Sequence, residues 1–187
     1  MIITGDTYVG RVAARSSSEW HSAFWGASSE RRRCQSCLAS VLGNDSALNF
    51  ELIEADGQPG VGYDVLEVRQ CLDLSAVSGT AKVRICLRSG YFSSSLGVIG
   101  VLGYYPFGEY RFTIIRYGTL RLRSHARLAD LMALDCAQLF DARGVSIASD
   151  SLMLLNVRGH GTSGSIQLVS RSLGLRLLKS YPSIYSA

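Results

Sequence analysis

The chain has 187 residues, 47% of them hydrophobic and 9% aromatic, which is enough apolar material for one domain with a complete core. It carries 17 arginines but only two lysines, with a formal net charge of +4. No run of uncharged apolar residues approaches the roughly 20 needed to cross a bilayer, and the N-terminus lacks the pattern of a secretory signal. We therefore expect a single domain, residues 1–187, in a soluble protein that is made in the cytosol and does not bind membranes.

The N-terminal part, residues 1–46, is predicted to combine a strand with helical segments. The strand is "YVGRVAA", and the helical signal begins with Ser16 and Glu19 at the spacing of a capping box. Further along, five apolar or small residues fall on one helical face. These residues are Cys34, Cys37, Leu38, Val41 and Leu42. We expect one or two helices here.

The remainder, residues 47–187, consists mainly of short segments in which apolar and polar residues alternate, as in strands with one buried face. In "AKVRICLR", Val83, Ile85 and Leu87 alternate with basic residues and a cysteine. "EYRFTIIRYGTLRLR" shows the alternation twice, on either side of an expected break at Gly118. The other predicted strands are "ALNFELIEA", "VGYDVLEVRQCLDL", "LGVIGVLGYY", "GVSIA", "DSLMLLNVR" and "SIQLVSRSLGLRL". The pattern predicts eight to ten antiparallel strands.

A second helix is predicted near residues 125–140, between two late strands. Ser124 is a suitable N-cap. Leu128, Leu131, Met132 and Leu139 lie near one helical stripe. The whole pattern favours a sandwich or barrel of strands with helical additions.

The segment "GTSGS", residues 161–165, is similar to the Gly-x-Ser-Gly turn of chymotrypsin-like serine proteases, in which glycines let backbone N–H groups face the oxyanion. His21, Asp64 and Ser163 follow the chain order of that family, and the resemblance implies that they form a catalytic triad. However, His21 lies in an expected helix, and few residues flank the set. Glycines around a hairpin turn are also common because they adopt positive φ. The turn is the preferred interpretation, so we expect no enzymatic activity.

The five cysteines are an odd number, and without an export signal we expect them to be reduced. Cys34 and Cys37 form a single Cys-x-x-Cys pair, with His21 and Cys71 as the nearest further ligands in sequence. A zinc site needs four converging groups, and two small residues on a buried face explain the pair equally well. We therefore predict no metal and no cofactor.

Positive charge is densest at Arg31, Arg32 and Arg33. Four more arginines lie on predicted strand faces, namely Arg84, Arg88, Arg121 and Arg123. Together they would form a phosphate-binding surface. The aromatic residues fall mostly on apolar faces, so base stacking is not indicated. Nucleic acid, with RNA preferred, is the expected partner of these arginines, and interface salt bridges or a solvated loop are the alternative.

The segment "LFDAR", residues 139–143, resembles the Leu-x-Asp-x-Arg pattern of plant-virus movement proteins. A helix end with charged residues after it explains the segment equally well. A viral movement or silencing-suppressor protein that binds RNA is therefore a second functional alternative, beside the protease.

The late segments "DSLMLLNVR", "GHGTSG" and "SIQLVSRSLGLRL" resemble the penultimate strand, hairpin and final strand of single jelly-roll coat proteins from small icosahedral viruses. The resemblance covers roughly residues 75–178. It implies an all-β, antiparallel jelly-roll-like sandwich with two helical insertions, in which Ser163 performs no chemistry. It also implies a self-associating capsid subunit that encloses nucleic acid in the virion after synthesis in the host cytoplasm. The N-terminus departs from this family, because residues 1–30 hold only Arg11 and Arg15 where many coats carry a dense basic arm.

Overall fold

A computed structural model describes residues 3–4, 7–9, 12–14, 34–37, 40–44, 46–78, 80–105 and 107–171. Within these residues the chain is predominantly β-sheet. The early strands are β1 Ile3–Thr4, β2 Thr7–Val9, β3 Val12–Ala14, β4 Cys34–Cys37, β5 Ser40–Leu42, β6 Ala47–Leu52 and β7 Val65–Asp73. The later strands are β8 Val83–Ser89, β9 Tyr91–Ser93, β10 Val98–Gly100, β11 Arg111–Arg121, β12 Met132–Gln138, β13 Leu152–Arg158 and β14 Gly164–Ser170. One helical turn, α1 Leu128–Leu131, and a 3-10 turn, Ser149–Ser151, complete the described elements.

Two sheets and a separate hairpin contain these strands. The smaller sheet has the order β1-β6-β8-β12, and the larger has the order β13-β14-β11-β7-β5-β2-β3, with β4 also paired to β7. The β9–β10 hairpin pairs only with itself among the described strands.

Three strands of the larger sheet lead directly into strands of the smaller one. β5 continues into β6, β7 into β8, and β11 into β12. In the larger sheet β5 and β11 both run parallel to β7, and in the smaller sheet β6 and β12 both run parallel to β8. The chain therefore passes between the sheets at one common end, which we call the crossover end. The described residues that form it are 43–44, 46, 74–78, 80–82 and 122–131.

Both sheets contribute to one hydrophobic core. Leu48 and Phe50 of β6, Ile85 of β8, and Phe112 and Ile114 of β11 are all fully buried members of it. On β8 the buried residues alternate with exposed or half-buried ones, because successive strand residues point to opposite faces. Removal of this apolar surface from water is the main contribution to the stability of the fold.

The prediction of an all-β chain is confirmed, but the prediction of antiparallel pairing throughout is wrong. Five strand pairs are parallel: β4–β7, β5–β7, β6–β8, β7–β11 and β8–β12. The strand order therefore differs from that of an antiparallel jelly roll. Alternation of apolar residues specifies which face of a strand is buried, and this is the same in parallel and antiparallel sheets.

Neither predicted helical segment is confirmed over its full length where the structure describes it. Cys34–Cys37 and Ser40–Leu42 are strands, while Ser16 and Glu19 lie outside the described residues. In the segment 125–140, the helix is limited to Leu128–Leu131, and Met132–Gln138 form β12. Met132 and Cys136 are buried at an even spacing that a strand also satisfies. Pairing of Met132–Asp135 and Gln138 with β8 then gives the backbone of the segment hydrogen-bond partners.

The predicted break at Gly118 is absent, because β11 runs through it as one strand of 11 residues. The register with β7 shifts between Tyr117 and Thr119. A Cβ atom at Gly118 would collide with the carbonyl oxygens of Arg69 and Gln70, so glycine allows β7 to approach closely at the shift. The predicted strand "GVSIA" makes only an isolated bridge, between Phe140 and Ser146.

Candidate interaction surface and predicted site residues

The β9–β10 hairpin exposes apolar side chains. Phe92 and Ile99 are directly opposite each other in its register, and they are 61% and 54% exposed. Directly paired strand residues point to the same face. The hairpin therefore presents an apolar pair to solvent where a solvent-facing sheet normally carries polar residues.

The exposed apolar residues continue into the segment that follows the hairpin. Phe107 is 98% exposed and Tyr105 is 69% exposed. Six of the eight large hydrophobic residues that are exposed in the described part of the chain lie between residues 92 and 107. These six, Phe92, Leu96, Ile99, Leu102, Tyr105 and Phe107, are here called the 92–107 surface. Exposed apolar residues at this density make the segment a candidate interaction site.

The 92–107 surface is anchored to the body of the protein by backbone hydrogen bonds. The N–H of Val101 donates to the carbonyl of Phe140 at 2.9 Å, and the N–H of Leu102 donates to the carbonyl of Ile53 at 2.7 Å. The Tyr110 hydroxyl donates to the carbonyl of Gly103 and accepts from the N–H of Tyr105. These hydrogen bonds hold the backbone of the segment in one conformation, and the exposed apolar side chains project from it.

Beside the hairpin, "LFDAR" forms a tight turn built around Asp141. Its carboxylate accepts hydrogen bonds from the Nε and Nη2 atoms of Arg143, at 3.1 and 2.7 Å, and from the backbone N–H groups of Arg143 and Val145. Burial alone would raise the pKa of Asp141, but these hydrogen bonds outweigh it and hold the pKa below its ordinary value. The contacts give Asp141 and Arg143 a structural role in this turn. The movement-protein resemblance of the motif stays a hypothesis.

Two of the predicted nucleic-acid-binding arginines, Arg84 and Arg88, lie on the outward face of β8, where they alternate with buried residues. Acidic residues on the neighbouring strands share this face. Glu51 of β6 is opposite Arg88 and forms an ion pair with it at 3.7 Å, and Asp135 of β12 is opposite Cys86. The face therefore carries two positive and two negative charges, a balance that the order of residues along β8 did not indicate.

Arg123 lies elsewhere, in the crossover end, and Arg121 adjoins that end. Arg121 is the last residue of β11 and forms an ion pair with Asp73 at 3.3 Å, and Arg123 is exposed two residues later. Burial alone would raise the pKa of Asp73, but hydrogen bonds from Ser75 and the charge of Arg121 lower it. Arg84, near the start of β8, adjoins the same end. The structure thus places Arg84, Arg121 and Arg123 in or next to the crossover end, while Arg88 lies toward the other end of β8.

The remaining predicted arginines, Arg31, Arg32 and Arg33, lie outside the described residues, as does His21 of the protease hypothesis. Asp64, the predicted acid of the triad, is 3% exposed, and its Oδ2 atom accepts a hydrogen bond from the backbone N–H of Glu51 at 2.9 Å. Burial raises the pKa of Asp64 above its ordinary value. This environment fits a structural role for the carboxyl group in joining β6 to the start of β7.

Ser163 lies in the exposed loop between β13 and β14. Its hydroxyl donates to the carbonyl of His160 at 2.8 Å, and its own carbonyl accepts from the N–H of Gly159. The next residue, Gly164, pairs with Tyr117 of β11. Tyr117 pairs in turn with Val68 of β7, which lies four residues after Asp64 in the chain. Strand spacing and rise place the backbones of Ser163 and Asp64 on the order of 20 Å apart. The structure does not bring these two candidate residues together.

The cysteine side chains that the structure describes are free thiols. Cys71 and Cys86 are half-buried, and Cys136 is buried. Burial and the charge of Asp135 raise the pKa of Cys136 to about 11. No group of three or more histidine, cysteine, aspartate or glutamate side chains that could hold a metal ion occurs in the described part of the chain.

Comparison of the chain with models of protein families, with curated proteins and with solved structures finds no match. Among the described residues, no helix has the length and the apolar character needed to cross a membrane.

Sequence patterns alone do not reveal the 92–107 surface, because they predict one ordinary strand over "LGVIGVLGYY". The structure forms a strand only over Val98–Gly100. A usable signal was present, because apolar residues occupy consecutive positions from Leu96 to Leu102 apart from two glycines. A strand with one solvent-facing side normally alternates, and an unbroken apolar run indicates either burial on both faces or an exposed apolar face.

Proposed function

We propose that this protein is a structural subunit that associates with copies of itself, and that its biological form is the coat of a small virus. The observation that carries the proposal is the 92–107 surface. Its six large apolar side chains face water on an anchored backbone. A second copy of the protein that covers them would remove this apolar surface from water, which is favourable in free energy. Association into closed symmetric assemblies would also cover the unpaired edges of the β9–β10 hairpin.

The two-layer β-architecture supports the same proposal at the level of fold class. The observed strand order differs from an antiparallel jelly roll, so the proposal rests on the exposed surface and the β-sandwich core. Nucleic acid is the proposed second partner, with Arg31, Arg32, Arg33, Arg84, Arg88, Arg121 and Arg123 as the contacting residues. The virion is the proposed location, after synthesis in the host cytoplasm.

The deciding experiment is the mass distribution of purified full-length protein by light scattering after size exclusion, with and without nuclease treatment. We expect particles far heavier than the 20.3 kDa chain. A triple variant, Phe92→Ser, Ile99→Ser and Phe107→Ser, should be a folded monomer, because the three side chains are exposed and make no contribution to the core. The control is Arg111→Ser, which truncates an exposed side chain outside the 92–107 surface and should assemble like the wild type.

The proposal is overturned if the wild type stays a monomer at high protein concentration with and without RNA. It is also overturned if the triple variant assembles as well as the wild type. Circular dichroism of the triple variant confirms that a loss of assembly does not reflect unfolding.

A further inference from the structure

A groove of about 410 Å³ lies between the last part of β11, the last part of β13 and the loop that follows β13. Its volume falls in the range of sites that hold small organic ligands, roughly 300–1,000 Å³. One side is polar and contains Asn156, Arg158 and Thr162, and the other contains Leu120 and Leu122. The lining includes one cation and no acidic residue.

The polar side of the groove is organised by Tyr117. This buried tyrosine donates its hydroxyl hydrogen to Oδ1 of Asn156. Burial raises the pKa of Tyr117, and the nearby charge of Arg158 opposes that rise only in part. The phenol therefore stays protonated and keeps the Asn156 oxygen occupied. The amide nitrogen of Asn156 is then left as a hydrogen-bond donor on the same wall as Arg158.

Arg158 supplies the positive charge of the groove lining. Four arginines of the described chain form ion pairs with carboxylates, namely Arg88, Arg116, Arg121 and Arg143. Arg158 has no such ion pair within the described residues, and it is exposed at the mouth of the groove. A guanidinium group beside an amide donor and a hydroxyl group is suited to a phosphate, whose oxygens accept several hydrogen bonds at once.

The apolar side suits the remainder of such a ligand. Leu120 and Leu122 are half-buried and pack against the core, so their outer surfaces form a fixed apolar wall. Arg121 and Arg123 alternate with them along the same segment, but Arg121 is paired with Asp73 and neither residue lines the groove. A ligand that combines an anionic group with a flat, partly apolar ring therefore fits both the polar and the apolar residues of the groove.

We propose that this groove binds a nucleoside phosphate, with the phosphate at Arg158, Asn156 and Thr162 and the base against Leu120 and Leu122. The nucleotide is either free or part of an RNA chain, because both present the same phosphate and base. The inference deepens the proposed function and rests on it for the choice of RNA, since it names where enclosed RNA contacts the subunit.

The test is calorimetric titration of the full-length protein with uridine 5′-monophosphate and, separately, with a ten-residue oligouridylate at fixed salt. We expect saturable binding, and we expect Arg158→Gln to weaken it by roughly tenfold or more, because it removes charge-assisted hydrogen bonds. Arg111→Gln is the matched control, since it removes the same charge from an exposed position on β11 outside the groove. A second variant, Thr162→Trp, fills the groove from an exposed loop position without changing the charge and should weaken binding as well.

The outcomes separate the sources of the ligand. Binding of both probes, lost in Arg158→Gln and Thr162→Trp, identifies a site for a single nucleotide. Binding of the oligonucleotide alone, with the same losses, identifies a site that needs the RNA chain. Equal weakening by Arg111→Gln and Arg158→Gln, or no binding by the wild type, overturns the proposal.

Light scattering of the same samples distinguishes this failure from failure of the proposed function. A protein that assembles without binding either probe retains the assembly proposal and refutes the nucleotide groove. A monomer that binds the probes through Arg158 refutes assembly and retains the groove.

Discussion

The hydroxyl group of Tyr117 on β11 donates a hydrogen bond to Oδ1 of Asn156 on β13, although β14 lies between the two strands. Gly164 of β14 pairs with Tyr117 in the register. A Cβ atom at Gly164 would collide with the tyrosine hydroxyl and with the carbonyl of Val157. The absence of a side chain at this position thus allows the tyrosine to reach across the middle strand and link the last three strands of the larger sheet.

Tyr117→Phe should lower the free energy of unfolding by about 1 kcal/mol, because it removes this hydrogen bond and leaves a half-buried amide oxygen without its donor. Urea denaturation followed by circular dichroism measures the change. Tyr105→Phe is the control, since that side chain is 69% exposed, and we expect a change within about 0.5 kcal/mol. Equal stability of wild type and Tyr117→Phe would show that the bond does not contribute.

Asp141→Asn should destabilise the protein by about 2 kcal/mol at pH 7. The amide cannot accept the full set of hydrogen bonds that the carboxylate receives from Arg143 and Val145, and hydrogen bonds to a charged group are stronger than neutral ones. Denaturant unfolding at pH 7 tests this value. Asp150→Asn, at an exposed position, is the control and should leave stability unchanged.

For the same variant we predict that the loss of stability depends on pH. Because the pKa of Asp141 in the folded protein lies below its ordinary value of 3.8, its contribution to stability is fully present well above pH 4. The contribution is lost as the pH falls through the lower pKa of the folded state. The stability difference between wild type and Asp141→Asn should therefore be constant from pH 7 to about pH 5 and shrink below about pH 4. A difference that increases on acidification would contradict the assigned direction.

Cys136 should react far more slowly with iodoacetamide at pH 8 than Cys71 in the native protein. Cys136 is buried, and its thiol has a pKa of about 11, so little thiolate is present and the reagent has poor access. Peptide mass spectrometry at timed intervals measures both sites, and the rates should become similar in denaturant. Rapid labelling of Cys136 under native conditions would show that this part of β12 opens readily.

Ser163→Ala should change the free energy of unfolding by no more than about 1 kcal/mol, because it removes one hydrogen bond in an exposed loop. We also expect no reaction of the wild-type serine with a fluorophosphonate probe, with a known serine hydrolase as the positive control. If the probe labels the wild type but not Ser163→Ala, the result would support the protease hypothesis.

The sequence was sufficient to predict the faces of the strands but not their partners. On β8, the alternation of Val83, Ile85 and Leu87 with polar residues is reproduced in the buried and exposed pattern of the structure. The pairing of β8 with β6 and β12 depends on residues far away in the chain. Local alternation carries no information about the direction of such pairs, and this is why the parallel sheets were not predicted.

The same physical reason explains the outcome at the candidate sites. The arginines on β8 were correctly placed on an outward face, but Glu51, which neutralises Arg88, belongs to another strand. The segment after Leu131 was assigned to a helix because Leu128, Leu131 and Met132 fit one helical stripe. The backbone of β8 offers the segment hydrogen bonds along its length, and this tertiary pairing overrides the local helical preference.

The crossover arrangement also determines how late in synthesis the protein can fold. Within the smaller sheet, β8 pairs with β6, which lies much earlier in the chain, and with β12, which lies much later. Neither pair is connected by a short hairpin. Contacts between strands that are far apart in the chain close long loops, and the entropy cost of closing these loops makes folding slow. On the ribosome, β6 to β8 would emerge with an open edge until β12 follows. We therefore expect the smaller sheet to stay incomplete until β12 has been synthesised, with the nascent chain dependent on protection from aggregation during that interval.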